Sequence, residues 1–199
     1  MPGSDFERRL EAAQAGDEGS FTELFRSLQP SLLRYLRTVG GALADDVAAE
    51  TWVSVVKGLG RFRGDESKWK AWVFTIARAR LVDARRRAAR TPIPLDTDVV
   101  LEGSVATDDV AGTVEDMFST EAALALIGQL PEQQAEVILL RFVGGLDVGQ
   151  TARALGKRPG AVRVASHRGL RRLAELLGED VHRPEHEGVT HRAPRTVRR

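Results

Sequence analysis

Cysteine is absent from the sequence, so neither disulfide bonds nor zinc sites built from thiolates can stabilise it. Aromatic residues make up only 6% of the chain, which argues against a large β-sheet protein. No apolar run approaches the roughly 20 residues that a transmembrane helix needs, and the amino terminus lacks the apolar core of a signal peptide. We therefore expect a cytoplasmic protein.

Apolar residues make up 42% of the 199 residues and recur mainly at helical spacing. This amount of apolar side chain suits two small helical cores. We predict an all-α fold of two small helical domains joined by an acidic flexible linker, with a helix-turn-helix in the second domain. The predicted bounds are 1–90 for the first domain, 91–119 for the linker, 120–178 for the second domain and 179–199 for a disordered tail.

The net charge of +1 conceals a strong local bias. Residues 61–90 contain ten basic and three acidic residues, and residues 141–173 contain eight basic residues and one acid. Residues 91–140 contain ten acids and neither Lys nor Arg. Each basic block can release counterions from a nucleic-acid backbone, whereas the acidic stretch must stay off DNA or lie against a basic partner.

Residues 145–173 have the pattern of two helices joined by a tight turn. Asp147, with Gln150 three residues later, predicts a capped helix that ends at Gly156, and Pro159 begins the next helix. We expect one stripe of the second helix to be buried, namely Val162, Ala165, Gly169, Leu170, Leu173 and Leu177. The other stripe is basic and contains Arg163, His167, Arg168, Arg171 and Arg172. A solvated amphipathic helix is the alternative, but such a helix would mix both signs of charge.

The first domain is predicted to contain three helices. Ser20 and Glu23 form a capping-box pattern that places the start of the first helix at Ser20, and Pro30 should kink or divide this helix. The second helix opens with acids that suit the helix dipole. Its predicted buried stripe contains Val47, Thr51, Val55 and Leu59, widened by Trp52 and Val56.

The third helix, from about Lys68 to Arg90, has the strongest amphipathic pattern in the chain. We expect Trp72 in its core, whereas Trp69 lies nearer the polar loop and is available to stack on a base. The opposite face of the helix is basic. No nucleophile, carboxylate pair or metal-ligand spacing converges in this domain, so we predict that the protein is not an enzyme and uses no metal or cofactor.

Four segments together resemble a known family. They are ADDVAAETWVSVV, FRGDES, WVFTIARARLVDARRR and the stretch from LPEQQAEVILL to HRGLRRL, in that order. They resemble the two conserved domains of a bacterial RNA polymerase sigma factor of the extracytoplasmic-function (ECF) group, in the sigma-70 family. The resemblance covers roughly residues 20–178, far more than a single motif would.

The resemblance implies a promoter-recognition subunit that directs transcription initiation and has no small-molecule substrate. Its first domain would dock on the clamp of the largest polymerase subunit and capture the unwound −10 element of promoter DNA. Its second domain would read the −35 element as duplex, beside the flap region of the second-largest subunit. An anti-sigma factor, often membrane-tethered in this family, is the expected inhibitory partner.

The family's motifs assign site residues by position. The polymerase-binding residues would be Asp45, Asp46, Glu50 and Trp52. The −10 contacts would come from the loop at residues 62–67 and the basic helix after it, through Phe62, Arg63, Asp65, Ser67, Trp69, Arg78, Arg80, Arg85 and Arg86. The −35 contacts would come from Arg158, Arg163, Ser166, His167, Arg168, Arg171 and Arg172.

Three positions depart from the family pattern: Ala49 replaces a usual Gln, Ala79 a usual Asn, and Ala165 a usual basic residue. The main alternative is a stand-alone helix-turn-helix regulator, which does not account for two basic blocks flanking an acidic stretch. A third alternative is an enzyme, such as a recombinase, that uses the helix-turn-helix to reach its target DNA. The first domain has no group of residues that could carry out catalysis, which argues against this alternative.

Overall fold

The computed structural model describes residues 5–90 and 114–178, with side chains described for 5–90 and 120–178. Within these ranges the chain forms helices joined by short turns, which confirms the predicted all-α fold. The predicted tail and most of the predicted linker lie outside the described residues. The described helices are α1 (Asp5–Gln14), α2 (Glu18–Gly40), α3 (Ala44–Leu59), α4 (Glu66–Arg90), α5 (Val114–Gly128), α6 (Glu132–Ile138), α7 (Val148–Leu155) and α8 (Pro159–Leu176).

Helix α1 was not predicted from the sequence. It buries Phe6, Leu10 and Ala13 against the rest of the first domain. Its apolar residues are too few and too mixed with charge to predict a helix alone, and packing against α2 and α4 supplies the missing stabilisation.

The start of α2 also differs from the prediction. The carboxylate of Asp17 accepts a hydrogen bond from the backbone N–H of Ser20 at 2.6 Å, so Asp17 is the N-cap and the helix begins at Glu18. A hydrogen bond from the Ser20 side chain, and next the one from its backbone N–H, lower the pKa of Asp17. The helix continues unbroken through Pro30, because the turns on both sides are held by buried Leu28 and Leu32.

The core of the first domain lies between α2, α3 and α4. The predicted stripe of α3, from Val47 to Leu59, is buried as expected, but Val56 is 54% exposed. The expectation for the two tryptophans of α4 is wrong: Trp69 is 1% exposed, whereas Trp72 is only half-buried. Trp69 is buried because α1 places Phe6 beside it, with 6.4 Å between ring centroids.

Helix α5 starts at Val114, inside the stretch 91–119 that was predicted as linker. After α6, a π-helical turn (Leu139–Val143) leads to the helix-turn-helix formed by α7 and α8. The predicted signals are confirmed: Asp147 and Gln150 form a reciprocal capping box, and Gly156 ends α7 with a left-handed φ of 62°. Pro159 begins α8.

The buried stripe of α8 is narrower than predicted. Val162 and Gly169 are buried, whereas Leu170 and Leu177 are 45% and 59% exposed. A side chain at Gly169 would place its Cβ 3.0 Å from Cγ1 of Ile138, so α8 can approach α6 closely only because this residue is glycine.

The two domains pack against each other. Helix α4 contacts α7, and α2 contacts α5 and α6. The ring of Phe74 in α4 lies so near Gly144 that a Cβ there would be 3.1 Å from it. The buried side chains of both domains therefore form one continuous apolar cluster.

The capping box of α7 gives a first test. Replacing Asp147 by Ala removes the acceptor for the Gln150 N–H, which lies 2.7 Å from Oδ1, and should lower the free energy of unfolding by about 1 kcal/mol. Urea unfolding followed by circular dichroism measures this. Asp147→Asn keeps an acceptor oxygen and should retain most of the stability; equal losses for Ala and Asn would contradict the capping explanation.

Candidate nucleic-acid interface

Helix α8 presents a basic surface to solvent. Arg163, His167 and Arg168 are exposed on it, and Arg158 precedes its first turn. Arg171 is also exposed, and its Nε donates to Glu175 Oε1 at 3.1 Å. Forked guanidinium donors on one helix face suit both base edges and phosphates of duplex DNA.

A cleft of about 630 Å³ separates this basic face from the start of α6. It is lined by Gln133, Gln134, Gly160, Ala161, Val164, Ala165 and Arg168 among others. The departure at Ala165 leaves the middle of the cleft small and uncharged. Charged contact with DNA on this face therefore depends on the arginines around it.

Ser166 does not belong to the exposed face. It is 3% exposed, and its Oγ accepts a hydrogen bond from Arg141 Nη1 at 3.0 Å. Residues 162, 166 and 169 share one side of a helix, so Ser166 lies with buried Val162 and Gly169 on the core side. Its role as a −35 contact stays a prediction, and in this conformation its hydroxyl is bonded within the protein.

The loop predicted to read the −10 strand, residues 62–67, has a buried root. The ring of Phe62 is 9% exposed and lies 5.4 Å from the ring centroid of Trp69 and 5.0 Å from that of Trp72. Phe62 and Trp69 are therefore both buried in this conformation, and their contact with the −10 strand stays a prediction. The half-buried ring of Trp72 is the more accessible of the two tryptophans.

The tip of the same loop is exposed. Arg63 Nη1 donates to the carbonyls of Gly60 at 3.0 Å and Phe62 at 2.6 Å, and Asp65 Oδ1 accepts from the backbone N–H of Lys68 at 2.8 Å. These local bonds shape the loop, Asp65 Oδ2 also lies 3.8 Å from Lys68 Nζ, and both side chains remain exposed. Arg63 and Asp65 therefore stay candidates for contact with an unwound strand.

The predicted −10 arginines of α4 differ in their surroundings. Arg80 Nε donates to Ser54 Oγ at 3.1 Å, and Arg86 is exposed. Arg85 forms an ion pair with Glu132 and also donates to the carbonyl of Val39. Arg80 is thus bonded to α3, and Arg85 is bonded to both α2 and α6.

Arg78 is the most enclosed of these arginines. Its Nε donates to Glu136 Oε1 at 2.9 Å, with the side chains 27% and 15% exposed. The hydroxyl of Tyr35 donates to the same carboxylate oxygen at 3.2 Å. Burial, and next the negative charge of Glu136, raise the pKa of Tyr35, so the phenol stays protonated and remains a donor.

The second domain also contacts the −10 loop directly. The amide Nε2 of Gln150, in the first turn of α7, donates to Ser67 Oγ at 2.8 Å and to its carbonyl at 3.2 Å. In this conformation Ser67, Arg78 and Arg85 are therefore all bonded to the second domain. If they contact DNA as predicted, DNA must compete with these bonds.

The acidic start of α3 lies beside an apolar surface. Asp45 and Asp46 are exposed there, and Asp45 lies 3.4 Å from Arg37 Nη2. Glu50 accepts from Arg87 Nη2 at 2.8 Å. A groove of about 430 Å³ between α3 and α4 is lined by Ala49, Glu50, Val53, Ser54, Lys57, Arg80 and Arg87.

Two exposed apolar residues lie on this surface, and one residue predicted to bind polymerase is buried. Val53 and Val56 are 53% and 54% exposed, although both are apolar. Val53 stands off the stripe of Val47 and Val55, which was a signal available in the sequence, whereas Val56 was predicted to be buried. Trp52 was predicted to contact polymerase, but it is 7% exposed and its Nε1 donates to Gln29 Oε1 at 2.6 Å.

Fold and surface together define a class of protein. The described residues form two packed helical domains, one with a helix-turn-helix and both with basic surfaces. Within the described part of the chain no cluster of acidic or histidine side chains could hold a metal ion. Among the described helices, none has the length and apolar content that crossing a bilayer requires. The class is that of helical DNA-binding proteins with two separate binding domains.

Comparison with known proteins identifies the family. Residues 24–91 match the model for sigma-70 region 2, and residues 120–173 match sigma-70 region 4. The chain is 36% identical over 178 residues to the ECF RNA polymerase sigma factor ShbA of Streptomyces griseus, covering 82% of this chain and 91% of that one. The chain belongs to the ECF group of sigma-70 RNA polymerase sigma factors. The family resemblance of the sequence is thereby confirmed.

Other relatives agree. The ECF sigma factor SigD of Mycobacterium tuberculosis is 34% identical over 184 residues, covering 89% of this chain and 86% of SigD. BldN of Streptomyces coelicolor is 33% identical over 173 residues, covering 86% of this chain and 65% of its own length. The solved structure of CnrH with the cytosolic domain of CnrY shares the fold, with a TM-score of 0.58 at 24% identity over 88% of this chain and 99% of that one.

The Glu136 contact gives a second test. In Glu136→Lys the new ammonium faces Arg78, so the contact becomes repulsive and the domains should separate. Breaking a fully buried pair costs about 3–5 kcal/mol, and the partial exposure of this pair reduces the expected cost to about 1–3 kcal/mol. Small-angle X-ray scattering should show a larger radius of gyration, with helicity by circular dichroism unchanged.

The matched control is Glu175→Lys, which makes the same charge change where the partner, Arg171, lies on the same helix. It should leave the radius of gyration unchanged. An unchanged radius in Glu136→Lys as well would mean that apolar packing alone holds the domains together.

Proposed function

We propose a division of labour within this sigma factor. The exposed face of α8 reads the −35 duplex, and the tip of the −10 loop with α4 captures the unwound −10 strand. The main support is that the protein has two basic surfaces, of which only one lies on a capped helix-turn-helix. A rigid helix suits the major groove of a duplex, whereas a loop beside aromatic rings suits separated bases.

We further propose that the groove between α3 and α4 binds the clamp of the largest polymerase subunit. Val53 and Val56 supply exposed apolar area, and Asp46 and Glu50 supply charge around it. An apolar centre with a charged rim is typical of protein interfaces. Ala49, where the family usually has Gln, adds to the apolar part. The flap region of the second-largest subunit is the expected partner of the second domain.

The packed conformation is proposed to be the state before DNA binding. Arg78 and Arg85 are paired with acids of the second domain, so promoter phosphates must replace Glu136 and Glu132. Binding to polymerase, through surfaces on both domains, would supply the free energy for separation. We infer that the isolated protein binds DNA weakly and that the holoenzyme binds it tightly.

An anti-sigma factor is the proposed inhibitory partner. The sigma factor RpoE from Bartonella quintana shares the fold, with a TM-score of 0.56 at 21% identity over 80% of this chain and 98% of that one. RpoE was crystallised in complex with the anti-sigma factor NepR. In the present chain, the groove between α3 and α4 is the surface that such a partner would cover.

We also propose that the protein has no enzymatic activity of its own and works in the cytoplasm, where RNA polymerase works.

One experiment tests the overall assignment. Purified protein is mixed with core RNA polymerase and a library of duplex templates randomised at the −35 and −10 positions, and the transcripts are sequenced. The sigma-factor assignment requires transcripts that start at a fixed distance from enriched sequence elements. Tight footprints from the protein alone, with no stimulation of core polymerase, would favour a stand-alone regulator.

Polymerase binding gives a third prediction. Val56→Asp places a charge at the centre of the α3 surface and should weaken the complex with core polymerase by about 10-fold or more, because the charge would lose its hydration on binding. Fluorescence anisotropy of labelled protein measures the affinity. Ala122→Asp adds the same charge at an exposed site on α5 and should have no effect; equal weakening by both variants would contradict a localised interface.

The reading face of α8 gives a fourth prediction. Arg163→Ala should cost about 1–3 kcal/mol of holoenzyme binding at one −35 position if the guanidinium makes a bidentate base contact. Arg63→Ala, in the −10 loop, should instead slow promoter opening while −35 affinity is retained. Arg26→Ala removes an exposed arginine of α2 and should change neither. The assignment is reversed if the Arg63 variant loses duplex binding and the Arg163 variant opens poorly.

A further inference from the structure

Helix α1 lies outside the match to sigma-70 region 2, which begins at residue 24, yet it reaches the −10 loop. The side-chain amide of Gln14, the last residue of α1, spans the root of the loop. Its Nε2 donates to the carbonyl of Leu59 at 2.8 Å and to the carbonyl of Phe62 at 2.9 Å. A carboxamide nitrogen carries two hydrogens, so both donors are used.

Gln14 is held in place by the packing of α1 against the first domain. The residues before it bury Phe6, Leu10 and Ala13, and the Phe6 ring packs beside Trp69 of α4. After Gln14 the chain turns sharply at Gly16, whose φ is +99°. The amide itself is half-buried, which shields its hydrogen bonds from water.

The two carbonyls that Gln14 bonds lie on either side of the turn from α3 into the −10 loop. Leu59 is the last residue of α3, and Phe62 is the first residue of the loop. The carbonyl of Phe62 also accepts from Arg63 Nη1 at 2.6 Å. The orientation of the Arg63 backbone, and with it the direction of the exposed loop tip, therefore depends on the position of this carbonyl.

We infer that Gln14 is a positioning residue for the −10 loop, which it holds in the conformation that captures an unwound strand. This inference rests on the proposed role of the loop. A prepositioned loop loses less conformational entropy when it binds, so discrimination between bases improves along with affinity. Gln14 contacts no base itself.

Two substitutions separate the effect of the Gln14 N–H donors from the effect of the size of the side chain. Gln14→Glu keeps the size but replaces the donors by a carboxylate that repels both carbonyls. Gln14→Met keeps nearly the same length without donors or charge. Each variant is assembled with core polymerase, and the holoenzyme captures DNA from a single-stranded pool randomised at the −10 positions. Sequencing before and after capture gives the enrichment of each base.

The expected result is that, in both variants, the enrichment of the preferred base over the others at the −10 positions falls by about 10-fold. Each net hydrogen bond changes an equilibrium constant by a factor of about two to ten. Selection from a duplex pool randomised at the −35 positions should be unchanged. A merely structural defect would lower the amount of active holoenzyme and leave both profiles as they are. A wild-type −10 profile in both variants would overturn the inference.

The loop variants Arg63→Ala and Asp65→Ala serve as the reference. If they too leave the −10 profile unchanged, the proposed role of the loop fails. If they alter it while the Gln14 variants do not, only the inference about Gln14 fails.

Discussion

One carboxylate joins the two domains through two hydrogen bonds. Glu136 is 15% exposed and accepts hydrogen bonds from Arg78 and Tyr35, both in the first domain. A carboxylate removed from water is stable only while it is paired, so the domains cannot separate unless Glu136 regains water or another cation. Because Arg78 is also a proposed contact for promoter DNA, Glu136 and the promoter would compete for the same guanidinium. In that proposal, this ion pair links domain packing to promoter binding.

The aromatic side chains serve a different purpose from the one their sequence positions suggest. Phe6, Phe62, Trp69 and Trp72 form one cluster at the root of the −10 loop. This cluster makes the base of the loop part of the core, and only its tip projects into solvent. A rigid base with a short exposed tip is a suitable arrangement for recognition, because little of the loop has to become ordered on binding.

Helix α3 has two apolar faces with separate roles. One face, including Val55, is fully buried, and the other exposes Val53 and Val56 beside charged residues. Exposed valines contribute little to the core, and the proposed polymerase interface would account for their apolar character. Trp52 lies between the faces. It is part of the core, where its Nε1 donates to Gln29 Oε1 and its ring packs against Phe21 and Phe25.

The sequence by itself determined the all-α fold, the helix-turn-helix and the sigma-factor family. The capping box of Asp147 and Gln150 and the stop at Gly156 were predictable because each depends on residues within one helical turn. The tertiary structure alone decided which tryptophan is buried and how Glu136 is paired. These outcomes depend on contacts between distant residues, such as Tyr35 and Glu136, which are 101 positions apart. Local patterns carry no information about such contacts, since the partner's position is fixed only when the helices pack.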